Sequence, residues 1–126
     1  MKIILVTGGS GLVGNAIRTI SYLYPDSSFI FVSSSMFDLS CIEDTRKMFR
    51  TYQPDTVIHL AACVGGLYKN MNNKVEMLEK NVLINFNVIS CAHEFRVDKL
   101  VACLSTCIFP DKVTYPIDES MLHDGP

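Results

Sequence analysis

The stretch KIILVTGGSGLVG, Lys2 to Gly14, decides how the rest of the chain is read. Ile3 to Val6 is an unbroken apolar run bounded by Gly8, which suits a strand buried on both faces. Leu12 to Tyr24 then places its apolar residues at helical spacing. Between the two, Thr7 to Gly14 satisfies G-x-G-x-x-G counted from Gly9 and G-x-x-G-x-x-G counted from Gly8, and spacing alone leaves both registers open. The physics is common to both. One glycine permits the tight turn, one lets backbone N–H groups approach a pyrophosphate, and Gly14 lets the helix lie close to the strand. A purely structural turn is the plainer reading of any lone glycine motif. Its place between a strand and a helix makes this one a dinucleotide cradle of Gly8, Ser10, Gly11, Leu12, Val13 and Gly14.

Outward from that loop the pattern repeats. Pro25-Asp26-Ser27 ends the first helix, and Phe29 to Val32 is a second short apolar run. Ile42, Thr45, Met48, Phe49 and Tyr52 mark a second helix stopped by Pro54, followed by a third strand at Thr56 to Leu60. Val82, Leu83, Phe86, Ile89, Ala92 and Phe95 give a helical stripe over Asn81 to Phe95 with a start near Val75, and KLVACL at 99–104 is a fourth strand. Strands alternating with helices imply a parallel sheet with right-handed crossovers, covered on both faces. Past Pro110 no period is evident, and the final Gly125-Pro126 is a turn dipeptide that reads as leading into further chain.

Composition bounds the function. The chain has 126 residues, 48% hydrophobic and 19% charged, as in an ordinary globular protein. Its net charge of -2 and scattered lysines and arginines provide no basic field, which argues against nucleic acid and anionic membrane surfaces as partners. The 5 cysteines form no C-x-x-C pair, so neither a zinc site nor a disulfide framework is expected, and no metal is assigned. Free thiols, the lack of a signal-like h-region and the lack of a long apolar run place the protein in the cytoplasm.

An acidic residue about 20 positions beyond the glycine loop would read the ribose 2′-hydroxyl of NAD. The second strand ends instead on Ser33, Ser34 and Ser35, with no Arg or Lys beside them. Hydroxyls can bond a 2′-phosphate and do not repel it, so NADP(H) is expected over NAD. Asp38 and Leu39 are assigned to the adenine end, although a turn or a cap is the plainer role for Asp38. Leu60, Ala61 and Ala62 stand at the cofactor-facing end of the third strand. His59, inside that strand, reads as a hydrogen-bonded core residue, and His93 and His123 as solvent-facing.

TGGSGLVG at 7–14, PDTVIHLAA at 54–62, VGGL at 64–67, CLSTCIFP at 103–110 and TYPIDE at 114–119 together resemble the GDP-L-fucose synthases, a family of extended short-chain dehydrogenase/reductases. The likeness runs from Met1 to Pro126. It implies a Rossmann-type doubly wound parallel α/β sheet, with residues 1–126 as the N-terminal part of an NADP-binding domain. The later strands and the C-terminal substrate domain would follow. It also implies a GDP-sugar substrate, a homodimer, and NADPH-dependent conversion of GDP-4-keto-6-deoxymannose by epimerisation at carbons 3 and 5 and reduction at carbon 4.

On the same resemblance, Ser105 is the catalytic serine that donates to the sugar carbonyl oxygen, and Cys107 the base that removes the acidified carbon-bound protons. A thiol is acidic enough near neutrality for modest electrostatic help to make its thiolate accessible. Asn81 matches a frequent asparagine of the superfamily, as a polar support beneath the active site. One departure is evident. The Tyr-x-x-x-Lys pair of such reductases is missing, since Tyr22, Tyr24, Tyr52, Tyr68 and Tyr115 are followed at the fourth place by Asp26, Ser28, Thr56, Asn72 and Glu119. Two expectations result: an enzyme part inactive by itself, with the pair to follow Pro126, or a non-catalytic nucleotide-binding module or pseudoenzyme that pairs with full-length subunits.

Overall fold

A computed structural model describes Met1–Pro126. Strands β1 (Lys2–Thr7), β2 (Ser27–Val32), β3 (Thr56–His59) and β4 (Lys99–Ala102) alternate with helices α1 (Leu12–Ile20), α2 (Ile42–Tyr52), α3 (Leu67–Asn72) and α4 (Lys74–Glu94). The sheet is wholly parallel in the order β2-β1-β3-β4. Leu5 stands opposite Ile30 on one side and Val57 on the other, and Val57 opposite Leu100. The chain steps from β1 to one side and then back across it, so the strand order reverses between β1 and β3. This is the Rossmann-type doubly wound arrangement, whose crevice opens at the carboxyl ends of the strands on either side of that reversal.

The core lies on one face of the sheet. Leu5, Val32 and Val57 meet Met48 and Phe49 of α2 and Val88, Cys91 and Ala92 of α4 there. Side chains alternate across a strand, so Val6 and Phe31 face the other way, toward α1, whose Arg18 guanidinium lies 4.2 Å over the Phe31 ring. The ends of α2 follow from its sequence. Glu43 and Asp44 occupy the first turn, where carboxylates suit the helix dipole. Gln53 closes the helix in the left-handed conformation at φ 47°. Arg46 then bridges Glu43 and Glu94, a solvent-screened surface link between α2 and α4 that adds little to stability.

Four expectations change. The helix expected over Leu12 to Tyr24 ends at Ile20 and tightens into a 3₁₀ turn at Ser21–Leu23. The third and fourth strands stop at His59 and Ala102, short of Leu60 and Leu104. Helix α3, directly after Gly66, has no apolar stripe by which the sequence could announce it, and none of its residues is buried. The sheet is also not covered on both faces throughout, because Val101 in β4 remains 43% exposed. The apolar run of β4 fits a buried strand, yet Val101 stays uncovered while α1 packs beside β2.

Candidate functional site

A cavity of 690 Å³ opens at the carboxyl ends of β1, β2 and β3. Its floor is the glycine loop, and the structure settles the register. Gly8, Gly11 and Gly14 line the cavity, whereas Gly9 does not. Gly8 adopts φ +66°, where side chains are disfavoured, and a β-carbon there would lie 2.8 Å from the Ala61 nitrogen. Gly11 is the N-cap of α1 and supplies no side-chain cap. The first N–H groups of α1 therefore remain free to meet an anion.

One wall comes from the end of β2. Ser33 and Ser34 line the cavity, and Ser33 shares a 2.8 Å hydrogen bond with Ser35. Asp38 also lines it, with Oδ1 accepting from the Ser40 N–H at 3.0 Å and from the Ser40 hydroxyl at 2.6 Å. The Ser40 hydroxyl, followed by its N–H, holds the Asp38 carboxyl below its ordinary range. The cavity thus contains a carboxylate that the reading of the serines did not count, turned onto Ser40. Leu39 serves twice, as a lining residue and as a buried core residue. Its carbonyl accepts from the buried Asn87 side chain of α4 at 2.9 Å, which ties this wall to the helix across the core.

The opposite wall is Leu60, Ala61 and Ala62 with Cys63 beyond them. Thr7 Oγ1 accepts from the N–H groups of Leu60 at 3.1 Å and Ala61 at 3.2 Å. Asn81 clamps Cys63 at both ends, accepting from its N–H at 2.8 Å and donating to its carbonyl at 2.9 Å. His59 is 4% exposed and bonded on both ring nitrogens, whereas His93 and His123 are solvent-exposed. Of the residues assigned from the sequence to the dinucleotide, all but Ser35 line this one cavity.

Sequence reasoning missed Lys80, Ile84 and Cys103, which line the same cavity. Lys80 is the only lysine or arginine among the lining residues. It lies 47 positions beyond Ser33 by subtraction of the two residue numbers, so only the packing of α4 brings them to one cavity. Glu76, one turn earlier, pairs with it at 2.9 Å and holds its ammonium above the ordinary range.

Ser105 and Cys107 are not on the cavity lining. They stand just past β4, both exposed, where Ser105 caps a 3₁₀ turn and its Oγ accepts from the Cys107 N–H at 3.1 Å. That contact gives the serine a local structural role. It also leaves the hydroxyl proton available for an outside acceptor, because the oxygen serves Cys107 through a lone pair. Of the remaining thiols, Cys91 is buried and Cys41 is exposed. No helix is long and apolar enough to cross a membrane.

Comparison with known proteins bears on the family and the fold. The chain is 54% identical to a GDP-L-fucose synthase of Dictyostelium discoideum over 99% of its own length and 40% of that protein. It is 51% identical to a probable GDP-L-fucose synthase of Drosophila melanogaster, again over 40% of the relative. A crystal structure of a GDP-L-fucose synthetase from Naegleria fowleri bound to NADP superposes with a TM-score of 0.86 at 46% identity, covering 99% of this chain and 40% of that one. The chain therefore spans about 40% of the length of the relatives it matches. A family profile matches residues 4–126, and on that match the chain belongs to the NAD dependent epimerase/dehydratase family.

Proposed function

We propose that residues 1–126 are the NADP(H)-binding part of a GDP-L-fucose synthase, a protein that epimerises a GDP-4-keto-6-deoxy sugar at carbons 3 and 5 and reduces carbon 4. The observation that carries this reading is the cavity at the N-terminus of α1, lined by both walls and the glycine loop. The N–H groups at the start of α1 would hold the pyrophosphate, and Asp38 and Leu39 the adenine end. Ser33 and Ser34 would bond the 2′-phosphate, with the Lys80 ammonium to balance its charge. When bound, NADPH supplies the hydride for the reduction at carbon 4.

The chain's own chemical part rests on Ser105 and Cys107. Deprotonation next to a ketone puts negative charge on the carbonyl oxygen, and the free hydroxyl proton of Ser105 suits that oxygen. Cys107, exposed beside it, is the base for the carbon-bound proton. The unpaired cysteines suit a reducing compartment, the cytoplasm. The partners are a GDP-sugar and a second subunit of the same protein. A second reading, a nucleotide-binding module without its own catalysis, shares the cofactor cavity and differs in what is done with the bound cofactor.

Calorimetric titration of the chain with NADPH and with NADH tests the first reading. NADPH is expected to bind more tightly. Equal or tighter NADH binding overturns the preference, and no binding of either removes the cofactor reading.

A further inference from the structure

Where β1 and β3 end, the buried polar atoms leave one way to distribute the protons. Thr7 is fully buried, and its Oγ1 lies 2.7 Å from His59 Nδ1. The same oxygen accepts from the Leu60 and Ala61 amides. A hydroxyl has two acceptor lone pairs and one proton. The two amides take the lone pairs, so the Thr7 proton is donated to Nδ1, which must be bare. The ring proton then resides on Nε2, where it is donated to Asn85 Oδ1 at 2.9 Å.

We propose that Thr7, neutral His59 in its Nε2–H form and Asn85 are a positioning relay that holds the Leu60–Ala61 wall against the glycine loop, and that protonation of His59 loosens the grip on the dinucleotide. The proposal rests on the cofactor reading above.

The argument is one of hydrogen-bond polarity. An imidazolium carries N–H on both nitrogens, so its Nδ1–H would face an oxygen whose lone pairs are occupied, and one amide must let go. The Leu60 amide has a second acceptor in the Thr7 carbonyl at 3.3 Å. The Leu60 amide, having that alternative, is the one that gives up Oγ1, while the Ala61 amide, bonded only to Thr7 Oγ1, keeps it. Leu60 lines the cavity, and its carbonyl group abuts Gly8, where even a β-carbon finds no room. A shift of Leu60 is therefore felt by the glycine loop.

The groups around the ring do not supply charge. Its sheet neighbours Thr7 and Ala102 and its α4 partner Asn85 are neutral, and Cys103 meets it through a backbone N–H to the His59 carbonyl at 3.4 Å. Burial lowers the pKa of His59, the Asn85 bond partly opposes this, and no carboxylate or ammonium contributes. Acid is what would charge it.

Long-range proton–nitrogen NMR of the ¹⁵N-labelled chain at about pH 7.5 is expected to show a bare Nδ1 and a protonated Nε2 on His59. NADPH affinity should fall about twofold to tenfold as the pH drops below 6.5, the ordinary histidine value beneath which burial holds His59, the scale of one weakened hydrogen bond. Asn85 is exposed, so Asn85→Asp spares the core. It sets a carboxylate beside Nε2–H and should move the loss of affinity to higher pH. Thr7→Val should weaken NADPH binding at neutral pH, and Thr7→Ser should restore it. An Nδ1–H tautomer, or an Asn85→Asp profile that coincides with the parent's, overturns the relay. Failure of the parent chain to bind NADPH at neutral pH would remove the cofactor reading and with it the proposed grip, while the NMR tautomer would still decide the proton arrangement.

Discussion

A β-carbon at Gly14 would stand 2.6 Å from the Gly8 carbonyl oxygen, inside the contact distance of the two atoms. The glycine loop and the first turn of α1 are thus pressed backbone to backbone, with no flexible side chain to give way. Gly14→Ala is expected to destabilise the chain by about 1–3 kcal/mol, the usual cost of overpacking. The gain in helix propensity of about 1 kcal/mol does not offset it. Urea unfolding should show the drop, and Gly66→Ala, where nothing lies within 4 Å of the added carbon, should leave the midpoint nearly unchanged.

Lys80 provides a second test. Its ion pair with Glu76 is exposed and spans one helical turn, so Lys80→Met should cost little stability. As the one cation on the cavity, it should matter to the 2′-phosphate. NADPH affinity is expected to fall about fivefold to fiftyfold, the scale of a charge-assisted bond, with NADH affinity nearly unaltered. Isothermal titration with both nucleotides checks this, and an equal loss for both would place Lys80 elsewhere on the ligand.

The pH dependence of stability follows from His59. Burial, the larger effect, holds its pKa below the ordinary value of 6.5. The unfolded chain therefore binds a proton that the folded chain refuses, and stability falls as pH drops through the unfolded value toward the folded one. Asp38 and Asp118, both held down by Ser40 and Ser120 respectively, act only in stronger acid, below their ordinary 3.8. Urea midpoints should decline from about pH 6.5 downward, and His59→Gln should flatten that decline while the steeper loss in strong acid persists.

On the proposed function, Ser105 and Cys107 should separate the two half-reactions in a catalytically complete protein of this family. Ser105→Ala should depress both epimerisation and reduction, by about 10²-fold or more. Cys107→Ser should chiefly depress epimerisation, by roughly 10² to 10⁴-fold. Deuterium wash-in at carbons 3 and 5 reads the first step without the second. Normal exchange in Cys107→Ser would show that the thiol is not the base.

Self-association is the fifth expectation. Val75, Leu78, Val82, Phe86 and Ile89 form an exposed apolar stripe along α4, and β4 is an open edge of the sheet. Light scattering should give a mass that rises with concentration, and Phe86→Glu should lower it. A monomer at high concentration would contradict this.

The periodicity of the sequence located the strands and most of the helices, because burial within one element repeats with that element's own geometry. The glycine loop was legible for the same reason, since a turn between a strand and a helix is a local event. Its register was not. Gly8 and Gly9 differ in what they touch, Ala61 just past β3 in one case and Phe31 of β2 in the other, and both contacts come from distant parts of the chain. Lys80 was hidden likewise, a residue of α4 that reaches the wall of β2 only through the packing of that helix against the core. The open face of β4 could not be read from KLVA, whose apolar residues state that cover is wanted but not whether a helix supplies it. The tautomer of His59 was decided last, by two amides of its own strand's end and one hydroxyl of β1, because protons are placed by the partners that remain once every other donor has been satisfied.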